Sequence, residues 1–441
     1  MTNRGLLLSF ALTLTASAAD TRSGQSVTFH KDVLPVLQRN CQGCHRPGEA
    51  APMSLLSFQE SRPWAKAIKE AVLSKRMPPW FADPAHGKFS NDRSLARAEM
   101  DTLVVWADTG AREGDPKDAP APRQFVTGWN IGRPDAVFEM PNEFQIPATG
   151  TIEYQYIVIP TNFTEDKWVR LAEVRPGNRA LVHHVIAFVR KPGSKWLQDA
   201  KAGEPYVPKK RTNDGRRGEG EGGEFLIGFA PGTVPETLDP GQGKLVPAGS
   251  DLVFQMHYTA NGKPGTDRSK VGLLFSKEPP THRVLTAAAQ NRKFVIPAGA
   301  ANHRVDSEIT LRASAVLTAF LPHMHLRGKS FEYRLVYPTG ETQVLLSVPK
   351  YNFNWQLSYY LEKPLLLPKG TKIECTAHFD NSANNPANPN PNEEVRWGDQ
   401  SWEEMMIGFF DLSVDARMDT GRLFRKEKQP AAAPARTGAG E

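Results

Sequence analysis

Across Gly114-Asp-Pro-Lys-Asp-Ala-Pro-Ala-Pro122 the hydrophobic period of this chain changes, and that change limits what it can fold into. Before it, from Val27 to about Arg112, the pattern is helical: Asp32 to Leu37 leads into a pair of cysteines, and Trp64 to Leu73 and Leu95 to Ala107 carry apolar residues at helical spacing. The polar, Pro-rich run itself reads as a linker. After it come short β-branched and aromatic runs punctuated by Gly, Pro and Asn, such as Glu153 to Pro160, Leu252 to Tyr258 and Phe331 to Tyr337. Runs of that kind build sandwiches or barrels, and the stretch is long enough for two, with a break near Lys277 to Ala287. The expectation is a multidomain chain: a small all-α domain over 26–113, a linker over 114–123, and two all-β domains over 124–280 and 281–418.

The N-terminus reads as a secretory signal over 1–19, with Arg4, an apolar run from Leu6 to Leu14, and Ala16-Ser17-Ala18 as a cleavage site. An exported protein, periplasmic or secreted, is expected, with an uncleaved N-terminal anchor as the alternative. No later run approaches the ~20 apolar residues of a transmembrane helix. The net charge of +6 is modest for 441 residues. Its densest basic stretch, Lys209-Lys210-Arg211 with Arg216-Arg217, sits among Gly, Asn and Asp in a Gly-rich loop from Arg211 to Gly223, without interleaved aromatics. That reads as a solvated loop and excludes a nucleic-acid partner. The Ala/Pro-rich segment 426–441 reads as a disordered tail.

Only Cys41, Cys44 and Cys375 are present, so no structural disulfide is expected in spite of export. Cys41-Gln-Gly-Cys44-His45 is the attachment sequence of a c-type haem: two thiols form thioethers to the porphyrin and His45 ligates the iron. A zinc or redox CxxC would need a second Cys pair or a thioredoxin-like setting, and the sequence supplies neither. Met77, in Arg76-Met-Pro-Pro-Trp80, is the expected second axial ligand, because it lies on a Pro-bounded loop well after His45. Met53 and Met100 read as packing residues, and His30 and His86 as polar surface residues. Together with Leu103-Val-Val-Trp106 before Gly110-Ala111, the segment resembles small bacterial cytochrome c domains, which supports Met77.

Beyond the linker stands a ladder of nitrogen and sulfur donors: His183-His184, His257, His323-Met-His325 and Met405. Imidazoles suit copper, zinc or iron, whereas a thioether favours Cu(I) and gives little to Zn(II). Three donors in each half of the region suit two copper ions. His323 and His325 are two apart, so on a strand both face one way and can chelate one ion. His183 and His184 are neighbours and would face opposite sides of a regular strand. They can share a metal only if the backbone bulges there or the rings use different nitrogens. His282, His303 and His378 have no partner at chelating spacing and read as structural.

In order and spacing, His-His, Gln255-Met-His257-Tyr258, His323-x-His325-x-x-Gly328-Lys329 and Glu403-Glu404-Met405 resemble the copper type II, ascorbate-dependent monooxygenases. That family includes peptidylglycine α-hydroxylating monooxygenase and dopamine β-monooxygenase, and the likeness covers about 125–415. It implies tandem jelly-roll domains. It also implies that His183, His184 and His257 hold an electron-storing copper, while His323, His325 and Met405 hold the copper that binds dioxygen. The acidic-acidic-Met register selects Met405 over Met406. Two positions depart from the family pattern. The peptide-hydroxylating members place an Arg two residues before the His-x-His motif, and this chain has Leu321 there, which argues against peptide amidation. Where the family pairs two cysteines, this chain has Cys375 and Met406, so Cys375 is expected to be a free, buried thiol.

The function these features imply is that of a haem-fused copper monooxygenase, inserting one oxygen atom of O2 into a C–H bond of a small organic substrate. Electrons would come through the tethered cytochrome from a redox protein, a quinol-linked chain or an ascorbate-like reductant. The alternatives are an exported electron-transfer or copper-binding protein of the same fold without turnover, and a hydrolytic zinc protein.

Overall fold

The structure, a computed structural model, describes residues 26–49, 51–208, 222–233 and 237–424. The expected leader, the basic stretch at Lys209 to Arg217 and the C-terminal tail lie outside the described residues. The N-terminal segment forms α1 (Leu34–Asn40), α2 (Phe58–Ser61), α3 (Ala65–Leu73) and α4 (Arg97–Asp108). Ser57 starts α2 through a reciprocal pair: its hydroxyl accepts the Glu60 N–H while the Glu60 carboxylate accepts the Ser57 N–H. Past the end of α4 stands Gly110 at φ +93°, a left-handed conformation that glycine adopts without penalty. The helices close on Phe29, Leu37, Ile68, Val72, Leu103 and Trp106.

The rest of the chain is β. The first region holds β1 (Ala136–Glu139), β2 (Phe144–Ile146), β3 (Gln155–Pro160), β4 (Lys167–Arg175), β5 (Val182–Arg190), β6 (Glu224–Phe229), β7 (Gln242–Val246), β8 (Asp251–Tyr258), β9 (Gly265–Asp267) and β10 (Lys270–Phe275). The second holds β11 (His282–Asn291), β12 (Val295–Ile296), β13 (His303–Thr310), β14 (Ala315–His323), β15 (Gly328–Val336), β16 (Thr342–Val348), β17 (Tyr359–Leu367), β18 (Lys372–Phe379), β19 (Val395–Arg396) and β20 (Met406–Asp415). The break expected at 280/281 falls in the loop between β10 and β11. β18 shows why these runs are strands: Ile373, Cys375, Ala377 and Phe379 point inward while the residues between them are half-exposed.

Each region encloses its core between two sheets. In the first, β1-β10-β4-β7 faces β3-β8-β5-β6 across Ile157, Val185, Phe254 and Leu273. In the second, β11-β20-β14-β17 faces β13-β18-β15-β16 across Leu317, Phe320, Tyr333 and Phe410. The two regions are joined by more than a loop. β7 and β11 pair in parallel, Gln242 with His282 and Gly243 with Arg283, so one sheet of eight strands runs through both. Beside that seam, Arg283 donates to both carboxylate oxygens of Glu224 at 2.7 Å.

The helical segment is not held by its linker alone. Residues 83–91 lie along β16 and β17: Ser90 N–H donates to Tyr360 O at 2.9 Å and Glu362 N–H to Lys88 O at 2.9 Å on β17, and Asp83 N–H to Ser347 O at 2.8 Å on β16. Trp80, Phe89 and Tyr359 pack ring on ring beneath this strap. Among the described residues no helix is long and apolar enough to cross a membrane.

Candidate metal centres

His183 and His184 sit near the start of β5, and His257 faces them from β8. The β5/β8 register shifts between Val182 and His184, and this bulge turns two sequence neighbours toward one point. Nδ1 of His184 lies 3.3 Å from Nδ1 of His183 and 3.4 Å from Nδ1 of His257. One ring nitrogen carries either one proton or one lone pair, so His184 Nδ1 cannot satisfy both contacts by hydrogen bonding. A tetrahedral metal with nitrogens at about 2.0–2.1 Å separates them by about 3.3–3.4 Å, which is the spacing found. The three residues could therefore hold a metal ion. Burial holds the His183 imidazole down at about 4, and His184 and His257 lie well below the ordinary imidazole range for the same reason. All three are neutral at pH 7, as ligands must be.

His323 ends β14, and His325 follows in the turn to β15. Their rings lie 5.2 Å apart at 90°. Here the assignment of ring nitrogens is reversed. His323 Nδ1 is 2.8 Å from Gln356 Oε1 and His325 Nδ1 is 3.2 Å from the Glu403 carbonyl, so each Nδ1 carries the proton and each Nε2 keeps a lone pair. His325 Nε2 is buried without a partner. Burial lowers His323 to about 4 and His325 to about 3.

Burial separates the neighbouring methionines. Met324 and Met406 are wholly buried in the core of the second region, and Met405 is not part of that core. On the adjacent strand β20, Ile407 pairs with His323, which puts Met405 beside the histidine turn. Glu404 fastens that arrangement: fully buried, its carboxyl oxygens accept the His325 N–H at 2.8 Å and the Arg327 N–H at 2.6 Å. Gly328 has a packing reason, since a Cβ there would lie 2.8 Å from both the Met324 Cβ and the Tyr351 ring. Cys375 is a free, buried thiol in the same core, and its burial raises its pKa.

The clusters are neighbours. The Tyr154 ring lies 4.5 Å from His257 and 6.3 Å from His325, and the Phe353 ring stacks on His183 at 5.0 Å and lies 6.1 Å from His325. Ser401, from the second region, reaches His257 Nε2 at 3.3 Å. A cavity of about 70 Å³ adjoins both clusters, walled by His184 and His323 with Leu321, Phe225, Phe229 and Phe409. None of Tyr154, Phe353, Gln356 or Ser401 stands out in the sequence, because an aromatic or an amide in a loop carries no local signature of what it will touch.

Cys41 closes α1, and Cys41, His45, Met53 and Met77 line a second cavity of about 820 Å³. Burial pushes the Cys41 thiol up to about 12 and also raises Cys44, so neither is a thiolate at pH 7. Burial keeps His45 below the ordinary imidazole range. Met53 and Met100 pack against the helical core, as expected, although Met53 also faces the cavity beside Met77. His30 is half-buried, 3.4 Å from Glu113. His282 is exposed, while His303 and His378 are half-buried, with His378 beside Ser330 at 3.2 Å.

No family model matches this chain, and no curated protein matches it. Among solved structures it is similar to that of the infectious bursal disease virus Gx strain, at 9% identity over 68% of this chain and 77% of that one, with a TM-score of 0.20. It is also similar to the VP2 subviral particle of infectious bursal disease virus, at 10% identity over 65% and 74%, with a TM-score of 0.19. Similarity at that level carries no argument about fold or function.

Proposed function

We propose that this protein is a haem-fused copper monooxygenase, with a cytochrome c-like helical domain packed on two jelly-roll domains. The observation that carries the reading is the pair of buried, neutral histidine clusters: the first presents Nδ1 atoms to one point, and the second has both Nδ1 atoms engaged, leaving Nε2 free, in a turn that the β14/β20 register sets near Met405. His183, His184 and His257 would hold one copper, and His323, His325 and Met405 the other. Cys41 and Cys44 would attach the haem, with His45 and Met77 as its axial ligands. When bound, these groups supply the electrons and the reduction of O2 that place one oxygen atom in a C–H bond and release the other as water.

The chain's own residues set the geometry. Gln356 and the Glu403 carbonyl fix which nitrogen of His323 and His325 is free, and Glu404 holds the turn that carries His325. The thioether of Met405 favours copper over zinc. Leu321 forms part of the apolar wall of the cavity beside His323, with Phe225, Phe229 and Phe409, and the lining holds no Lys or Arg to pair with a substrate carboxylate.

Metal and haem analysis of protein matured in the periplasm tests the assignment. Two coppers and one haem are expected, with one copper weakened by Met405→Ala. One copper or none refutes the two-site reading, and zinc without copper favours hydrolysis. If the reduced, copper-loaded protein consumes O2 no faster with any small C–H substrate, the electron-transfer or copper-binding alternative stands instead.

A further inference from the structure

The loop between β16 and β17 touches every site described above. On one side Tyr351, Asn352 and Trp355 form a wall of the cavity that contains Cys41, His45 and Met77. On the other side, the Phe353 ring lies nearly parallel to the His183 ring, 17° from coplanar at 5.0 Å, and 6.0 Å from His257. Gln356 Oε1 accepts the hydrogen bond of His323 Nδ1–H. Tyr351 Oη donates to the Met324 carbonyl at 2.8 Å and lies 3.2 Å from the Met324 N–H, between the two histidines of the second cluster. Tyr351 and Phe353 are two residues apart, so their Cα atoms are separated by at most about 7 Å.

We infer that this loop, through Tyr351, Phe353 and Trp355, is the electron bridge between the haem cavity and the three-histidine centre. The inference rests on the proposed haem and copper occupancy. Cys41, Cys44 and His45 would hold a ferrous haem as one-electron reductant, and His183, His184 and His257 would hold the cupric ion that accepts the electron. No bond is made or broken, and the haem and the copper are the reductant and oxidant. Because the strap at 83–91 and the Trp80, Phe89 and Tyr359 rings fix the helical segment on the second β-region, the transfer requires no docking step. The linker therefore does not act as a flexible tether that merely raises local concentration.

The test is flash photoreduction of the haem in full-length, copper-loaded protein under argon, following haem reoxidation by absorbance and loss of the Cu(II) signal by electron paramagnetic resonance. The wild-type rate is expected to be independent of protein concentration and of added viscogen. Phe353→Leu should slow it at least tenfold, while Phe353→Tyr, which keeps the ring, should not. Haem spectrum and copper content serve as loading controls. Should Phe353→Leu lose copper, Trp355→Leu, altered on the cavity side of the loop, is expected to show the same slowing. An unchanged rate in a fully loaded Phe353→Leu or Trp355→Leu, or a rate that depends on protein concentration, overturns the bridge alone. Wild-type protein that binds no haem or no copper overturns the proposed function with it.

Discussion

Glu404 offers the sharpest test of how the second cluster is held. Its carboxyl is fully buried, and burial raises it from 4.5 to about 8, opposed by the N–H donors of Arg327 and His325 and by the Arg327 charge. Between those values the folded protein binds a proton that the unfolded chain has released, so stability falls as pH rises. The contribution is fully present below about pH 4.5 and is lost as pH passes through about 8. At 1.36 kcal/mol for each unit, the interval is worth about 5 kcal/mol. Glu404→Gln keeps the shape and an acceptor oxygen but does not titrate. At pH 5 it should be less stable than wild type by about 1–2 kcal/mol, because one buried N–H loses its best acceptor. By pH 9 the order should reverse. Urea unfolding of both chelated proteins from pH 5 to 9 measures this directly. Two curves that stay parallel across the range would refute the claim that burial outweighs the donors at Glu404.

Acid should act on the histidines in the opposite sense. His323 falls from 6.5 to about 4, so its contribution is present above pH 6.5 and is lost as pH falls toward 4, about 3 kcal/mol for this residue in copper-free protein; unfolding midpoints at pH 7 and 4.5 measure it. Gln356→Leu removes the acceptor that orients His323 and, on the proposed assignment, should weaken copper binding there by about 10–100-fold while sparing the three-histidine cluster, read by titration against a competing chelator. Gly408→Ala would drive a Cβ into Cys375 Sγ on the facing sheet and should cost about 1–3 kcal/mol in urea unfolding.

The sequence was informative where chemistry leaves a local mark. The spacing of His323 and His325 announced that their rings would meet, although only His323 is on a strand and His325 stands in the turn after it. At His183 and His184 the period of two left a bulge or different ring nitrogens as the choices, and the bulge is what the backbone has. β3, β8 and β15 lie within a few residues of the runs that announced them. What could not be read arises from contacts between residues far apart in the chain. The strap at 83–91 is bonded to residues 347–362, and Ser401 reaches His257 across the regional boundary. The helical segment was legible as a tethered unit but not as a docked one, because neither the strap nor β17 carries a pattern that names its partner.

The parallel seam between β7 and β11 has a mechanical consequence. A hinge between two lobes needs a seam that can open, and here opening would break a backbone ladder and the Arg283 clasp on Glu224 beside it. The span between the two histidine clusters is thus braced at the seam, and changing it means giving up that pairing and that clasp, whereas side chains and loops at the rim can shift without either loss.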